Sequence, residues 1–192
     1  MESGFSVITE PPRGRNHWLH DSPADHHRPH SEDQLGLPVA QWFAERAREH
    51  AGFQIQLVDL AEVALGNSTV DADAFVFVVP DGNDAIDAAM SNVGASPDID
   101  SEYKALGFIS YGSTSGGLRA VETLKQVLTT LKMMPIDESV AIDDEGQFIE
   151  AGRFVATEVM ESAAKAMLDG LWCLNPFLDA LRGWAATTDI SR

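Results

Sequence analysis

The alternation of apolar and polar positions predicts several strands. Ala74–Val79 is apolar at every position, and Ala105–Tyr111 is nearly so, which is typical of parallel strands covered on both faces. Phe53, Ile55 and Leu57 alternate with other side chains and predict another strand. Two shorter strands are predicted at Phe5–Ile8 and near Val140–Ile142.

Segments in which apolar residues recur at helical spacing lie between these strands. One helix is predicted from the recurrence of Val39, Trp42, Phe43, Ala47 and His50, and Gly52 ends it. A second is expected over Ala85–Val93. A third carries Leu118, Val121, Leu124, Leu128 and Leu131. A long helix is predicted from about Phe154 to Leu174, with Pro176 kinking or ending it.

This order of elements predicts an α/β fold with a doubly wound parallel sheet and helices on both faces. Right-handed crossovers place the loops after the strands along one edge, where such folds bind ligands. The loops to compare are therefore Thr9–Arg15, Pro80–Asn83 and Gly112–Gly117.

The N-terminal segment differs from the rest in composition. Residues 1–36 contain four prolines and five of the six histidines, and they are expected to be irregular and mobile apart from the short first strand. Residues 37–192 form the remainder of a single domain. The five histidines of this segment lie in no predicted helix, so a pH-sensitive or solvated loop is favoured over a metal site.

Charge and cysteine content narrow the function classes. The formal net charge of −17 argues against binding to nucleic acid or to an anionic membrane surface, and no apolar run is long enough to span a bilayer. The N-terminus lacks the apolar core of a signal peptide. Cys173 is the only cysteine, which excludes an internal disulfide, fits a cytoplasmic location and predicts a buried structural thiol.

The segment Gly112–Gly117 carries the most chemical information. Its glycines allow a close approach of the backbone to a flat ligand, and its N–H groups can reach ligand oxygens at a helix N-terminus. Arg119 lies in the first turn of the following helix, where a cation is unfavourable unless it has an anionic or aromatic partner. A plain glycine-rich turn with a solvent-facing arginine explains the spacing equally well.

A family resemblance adds to this interpretation. Ser110-Tyr111-Gly112, followed by Gly116-Gly117-Leu118-Arg119-Ala120, resembles the third loop of the NADPH-dependent FMN reductases, a flavodoxin-like family. Val39-Ala40-Gln41-Trp42, Leu57-Val58-Asp59-Leu60 and Asp71-Ala72-Asp73-Ala74 are similar to earlier elements of that family, in the same order. The resemblance runs from about Gly36 to Phe148.

The resemblance implies a flavodoxin-like, five-stranded parallel sheet and an oxidoreductase that binds FMN. NADPH, or NADH, would deliver hydride to the flavin, which would pass electrons to a small acceptor. Family members are usually dimers or tetramers, so a homodimer or homotetramer is implied. No catalytic residue is assigned. The implied cofactor-binding residues are Arg13, Arg15, Pro80, Asp81, Gly82, Asn83, Ser110, Tyr111, Gly112, Ser115, Gly116, Gly117 and Arg119.

Two loops depart from the family pattern. Only Gly14 and Arg15 match the Gly-Ser-x-Arg phosphate loop, and Glu10 brings a negative charge toward the phosphate. In the second loop Gly82 replaces an aromatic residue that lies near the flavin ring. The alternative function is therefore a flavodoxin-like domain that has lost its flavin and acts as a binding or regulatory partner.

Several apolar residues allow two interpretations. Tyr111 either stacks on a ligand or packs at the sheet edge. Met133-Met134-Pro135 and the series Trp172, Phe177 and Trp184 form either an oligomer face or part of the core, and core packing is favoured. The acidic groups around Asp143 are expected to form a solvated surface.

Overall fold

The computed structural model describes residues 5–10, 36–50, 53–59, 72–80, 102–112, 117–143 and 148–188. Within them, seven strands and three helices are assigned. The strands are β1 (Phe5–Glu10), β2 (Gln54–Asp59), β3 (Ala74–Pro80), β4 (Ala105–Gly112), β5 (Met134–Asp143), β6 (Ile149–Glu150) and β7 (Arg153–Phe154). The helices are α1 (Gly36–Glu49), α2 (Leu118–Thr130) and α3 (Glu158–Thr188).

The main sheet has five strands in the order β2-β1-β3-β4-β5. This is the strand order of flavodoxin-like sheets. Strands β3, β4 and β5 pair in parallel, as the apolar runs predict. The α/β class is therefore confirmed, and β6 and β7 form a separate two-stranded hairpin that the sequence pattern does not predict.

The direction of β1 corrects the prediction of an all-parallel sheet. Strand β1 pairs antiparallel with both of its neighbours, so that Phe5 lies opposite Val78 and Thr9 lies opposite Ala74. An antiparallel strand satisfies its backbone hydrogen bonds as well as a parallel one does, and the apolar pattern of a strand carries no information on direction. The end of β1 at Glu10 therefore lies at the edge opposite to the end of β3.

Buried side chains on both faces of the sheet explain why β3 is apolar throughout. Ala74, Val76 and Val78 pack in the core beneath α1 and α3. Phe75, Phe77 and Val79 point to the other face and pack against α2. The predicted placement of helices on both faces is thus observed.

The predicted helices are largely confirmed, although the segment Ala85–Val93 lies outside the described residues. Helix α3 differs most, because it continues through Pro176 to Thr188 instead of ending there. Several side chains of this helix are also more exposed to solvent than predicted. Trp172, Phe177 and Trp184 are 44%, 74% and 55% exposed, and Cys173 is exposed, so the predictions of core packing and of a buried thiol are wrong at these positions.

The two methionines at the start of β5 differ in burial. Met133 is buried, as core packing predicts, whereas Met134 is exposed at the start of the strand. Within the described part of the chain, none of the helices is long and apolar enough to cross a bilayer.

Candidate functional site

Three parallel strands end together at one edge of the sheet. Pro80 at the end of β3 is in register with Tyr111 of β4, and Tyr111 is in register with Ile142 of β5. We call this the carboxyl edge. The loops that begin at Pro80 and Gly112 both leave from it, so two of the three predicted ligand loops start side by side.

Gly117 brings the second of these loops back against β4. It caps the N-terminus of α2 with a left-handed backbone (φ of 73°) and makes no side-chain capping bond. A Cβ atom at this position would lie 3.0 Å from the Cβ of Ser110 and 3.2 Å from the carbonyl oxygen of Tyr111. Only glycine combines this backbone conformation with this close approach.

The strand that ends at Gly112 divides its side chains between the two faces of the sheet. The ring of Tyr111 is 3% exposed and packs in the core cluster beneath α1 and α3. Of the two alternatives for Tyr111, packing is the one that the structure shows. Ser110 is also buried, but it lies on the α2 side, where its Cβ faces Gly117.

The first turn of α2 presents positive potential at the carboxyl edge. The first N–H groups of a helix have no intrahelical acceptor, and the helix dipole favours an anion there. That turn contains no acidic residue, and both Leu118 and Arg119 are exposed. An anionic group placed at this edge would meet backbone N–H donors and, within side-chain reach, a guanidinium group.

The remaining predicted residues are not brought together by the described structure. Arg13, Arg15, Asp81, Gly82, Asn83, Ser115 and Gly116 lie outside the described residues. The first loop begins at the opposite edge, because Thr9 in the reversed β1 lies opposite Ala74 at the start of β3. The rest of that loop lies outside the described residues.

Helix α1 is a feature of the site that the sequence interpretation missed. Only four residues separate its end at Glu49 from the start of β2 at Gln54, and the rings of His50 and Phe53 in that connection lie 5.2 Å apart. The helix therefore runs back along the sheet, and its N-terminus at Gly36 approaches the carboxyl edge. Pro38 in the first turn indicates where a helix begins, but the sequence carries no signal for the edge that the helix approaches.

Asp143 also reaches this edge, opposite Gly112 on the neighbouring strand. It is exposed, as the expected solvated acidic surface requires, but its position beside the glycine-rich loop is decided by the strand register. A carboxylate here opposes a second negative charge nearby and limits where an anionic ligand can sit. Among the described residues, no group of His, Cys, Asp and Glu side chains is arranged to hold a metal ion.

A comparison with known families bears on the two loops of this edge. The family model of NADPH-dependent FMN reductase matches residues 63–147. The predicted resemblance is confirmed. The matched stretch of the reductase family takes in β3, β4, α2 and β5, and hence both loops that leave the carboxyl edge. The match does not include β1 or the segment Thr9–Arg15. No curated protein gives a significant match to the chain.

Proposed function

We propose that this protein is an FMN-binding, NAD(P)H-dependent oxidoreductase of the kind found among NADPH-dependent FMN reductases. The observation that carries the proposal is the match over residues 63–147, which contains the two loops of the carboxyl edge. Hydride would pass from a nicotinamide to the flavin and onward to a small acceptor. The family resemblance also supports a homodimer or homotetramer. The single cysteine supports a cytoplasmic location, and the net charge of −17 argues against binding to nucleic acid or to a membrane surface.

The geometry around Gly117 fits a flat ligand with an anionic tail. The Cβ that Gly117 lacks would fill the space beside Ser110 and Tyr111, so the start of α2 can lie close to the end of β4. Uncapped N–H groups of α2 face the same side. A flavin needs backbone donors for its ring carbonyls and positive potential for its phosphate, and both are present here.

The proposed binding residues follow from the family resemblance. Backbone groups of Gly112, Ser115, Gly116 and Gly117 would meet the flavin ring, with Ser110 supporting their position. Arg119 would bind an anionic group. In the neighbouring loop, Pro80, Asp81, Gly82 and Asn83 would line the ring edge, with Asn83 donating to it. Arg13 and Arg15 would contribute only if residues 11–35 return from the opposite edge, and Tyr111 would contribute through its backbone.

The flavin, when bound, supplies the hydride and electron chemistry. The chain's own residues bind and orient it. Arg119 and the N-terminus of α2 favour an electron-rich ring or phosphate by electrostatics, while Asp143 disfavours extra negative charge beside Gly112.

Absorbance spectroscopy of the purified protein tests the proposal. A visible flavin band that survives desalting after addition of FMN, together with oxidation of NADPH, is the expected result. A spectrum without that band, before and after FMN addition, would contradict it.

Charge reversal at Arg119 tests the site itself. Arg119→Glu should weaken FMN binding at least about tenfold, because a hydrogen bond to a charged group contributes ~1.5–3 kcal/mol. Arg48→Glu makes the same charge change at an exposed position near the other end of α1 and should leave binding unchanged. Equal losses in both variants would show that only net charge matters.

The reversed direction of β1 favours a second candidate function. Because of this reversal the first loop begins at the edge opposite to the carboxyl edge, away from the proposed site of the phosphate. Gly82 also replaces an aromatic contact to the flavin ring. The domain would then serve as a flavin-free binding or regulatory partner. Fold alone does not assign an activity. Retention of flavin with NADPH turnover would eliminate this alternative.

A further inference from the structure

Asp143 is the only charged residue that the described strands β3, β4 and β5 place at the carboxyl edge. Strands β3 and β4 contain no charged side chain. Strand β5 contains Asp137, Glu138 and Asp143, and of these only Asp143 lies at the end of the strand. The three parallel strands therefore contribute negative charge, and no positive charge, to the edge where the two ligand loops begin.

The side chain of Asp143 lies on the face of the sheet that α2 covers. Val140 and Ile142 are buried in the cluster beneath α1 and α3. Successive side chains of a strand point to opposite faces, so Asp143 shares its face with Ser110 and with Gly117 at the start of α2. It is exposed there, so its carboxylate is open to a molecule that approaches from solvent.

The register between β4 and β5 sets how far Asp143 lies from the glycine-rich loop. Asp143 is the Cα partner of Gly112, where the loop Gly112–Gly117 begins. Neighbouring strands lie about 4.8 Å apart, and a charge acts over about 10 Å at an ionic strength of 0.1 M. A molecule that touches the start of this loop is therefore within range of the Asp143 carboxylate.

Among the residues that the structure describes, Asp143 has no ion-pair partner, and Arg119 is no exception. Arg119 lies in the first turn of α2, where the proposed function assigns it to an anionic group of the flavin. A further anion that arrives at this edge would meet the charge of Asp143 without a free cation to offset it. The net charge of −17 adds to the repulsion.

We propose that Asp143 determines which electron acceptors the protein uses, by favouring uncharged and cationic acceptors over anionic ones. The inference rests on the proposed function, because an acceptor has to approach a flavin held by the loop Gly112–Gly117. Asp143 is not required for flavin binding or for hydride transfer in this proposal. It acts through its charge on the molecule that takes the electrons.

Acceptors of different charge test the proposal in steady-state assays. One NADPH, oxidised to NADP+ with release of one proton, supplies two electrons. These electrons reduce two ferricyanide ions to ferrocyanide, or two hexaammineruthenium(III) ions to the ruthenium(II) form. An uncharged benzoquinone takes both electrons together with two protons, one from NADPH and one from water, and gives the hydroquinone.

Asp143→Asn removes the charge and keeps the shape of the side chain. The kcat/KM for ferricyanide should rise about three- to tenfold, that for hexaammineruthenium(III) should fall by a similar factor, and that for the benzoquinone should change less than about twofold. The changes should shrink at about 1 M salt, where the Debye length is about 3 Å. Asp137→Asn changes the net charge equally, about 20 Å away along β5, and should match the wild type.

Fluorescence quenching gives a second readout that does not depend on turnover. Iodide should quench bound FMN about twofold more effectively in Asp143→Asn than in the wild type, because iodide carries a negative charge. Quenching by uncharged acrylamide should be equal in the two proteins. The dissociation constant for FMN should change less than about twofold.

The two proposals fail in different ways. A wild type that retains no FMN would overturn the proposed function and this inference with it. A protein that binds FMN and oxidises NADPH, but in which Asp143→Asn leaves the rates and the iodide quenching unchanged, would overturn the inference alone. Equal changes in Asp143→Asn and Asp137→Asn would also overturn it, because only the net charge would then matter.

Discussion

Gly117 and Tyr111 lie so close together that any side chain at position 117 would press against the strand. The missing Cβ would be 3.2 Å from the carbonyl oxygen and 3.4 Å from the nitrogen of Tyr111. This contact holds the start of α2 against the end of β4.

Substitution of Gly117 should therefore damage both stability and binding. Gly117→Ala should lower the free energy of unfolding by roughly 1–3 kcal/mol, because it adds left-handed backbone strain and a steric contact, and it should weaken FMN binding. Urea denaturation and FMN titration measure the two effects. Gly152→Ala is the control, since Gly152 has a φ of 78° with nothing within 4 Å of its absent Cβ. Equal stability losses would show that the contact with Tyr111 contributes nothing.

Arg182 should anchor the second half of α3 to the sheet. Its guanidinium group donates to the carbonyl oxygen of Tyr103 at 2.8 Å and to Asp73 at 3.0 Å, and the side chain is only 14% exposed. Arg182→Ala should cost about 2–3 kcal/mol of unfolding free energy, because two partly buried acceptors lose a charged donor. Arg182→Lys should recover only part of the loss, since an ammonium group cannot copy the planar fork. If urea denaturation shows that Arg182→Lys has the full unfolding free energy of the wild type, only the positive charge of Arg182 matters.

Asp169 should make stability depend on acid pH. Hydrogen bonds from Lys165 and from His50 lower the pKa of Asp169 below its ordinary value. A depressed pKa in the folded state means that this contribution is present above the pKa of the unfolded chain and is lost as pH falls through the folded one. Asp169→Asn should therefore melt below the wild type at neutral pH, and the gap should narrow under strongly acidic conditions. A gap that stays constant with pH would contradict the ionic explanation. Asp137→Asn, the same change at an exposed aspartate of β5, is the control.

Removal of Pro176 should stabilise α3. Proline has no N–H to donate to the carbonyl oxygen of Trp172 one turn earlier, yet the helix continues to Thr188. Pro176→Ala restores this donor and should raise the free energy of unfolding by up to about 3 kcal/mol. Thermal unfolding of the variant and the wild type provides the measurement. An unchanged midpoint would indicate that the helix already accommodates the missing hydrogen bond.

Only the part of the site that is local in sequence could be predicted from sequence patterns. Ser110, Gly112 and Gly117 were predicted together because a strand followed by glycines and a helix is a local arrangement, and the structure shows Gly117 folded against Ser110. The place of Asp143 beside Gly112 could not be predicted, because it depends on the register between β4 and β5. The approach of α1 to the same edge likewise follows from packing between distant segments.

The sequence by itself determined the α/β class, the two central strands and the helical periods. These follow from local rules: Phe75 and Val76 must both be buried if they point to opposite faces of a covered sheet. Only the tertiary structure decided the direction of β1, because an isolated strand can pair equally well in either orientation. It also decided the exposure of Phe177 and Trp184. A helical period identifies which residues share a face, but on a helix with two apolar faces it does not say which of them the sheet will cover.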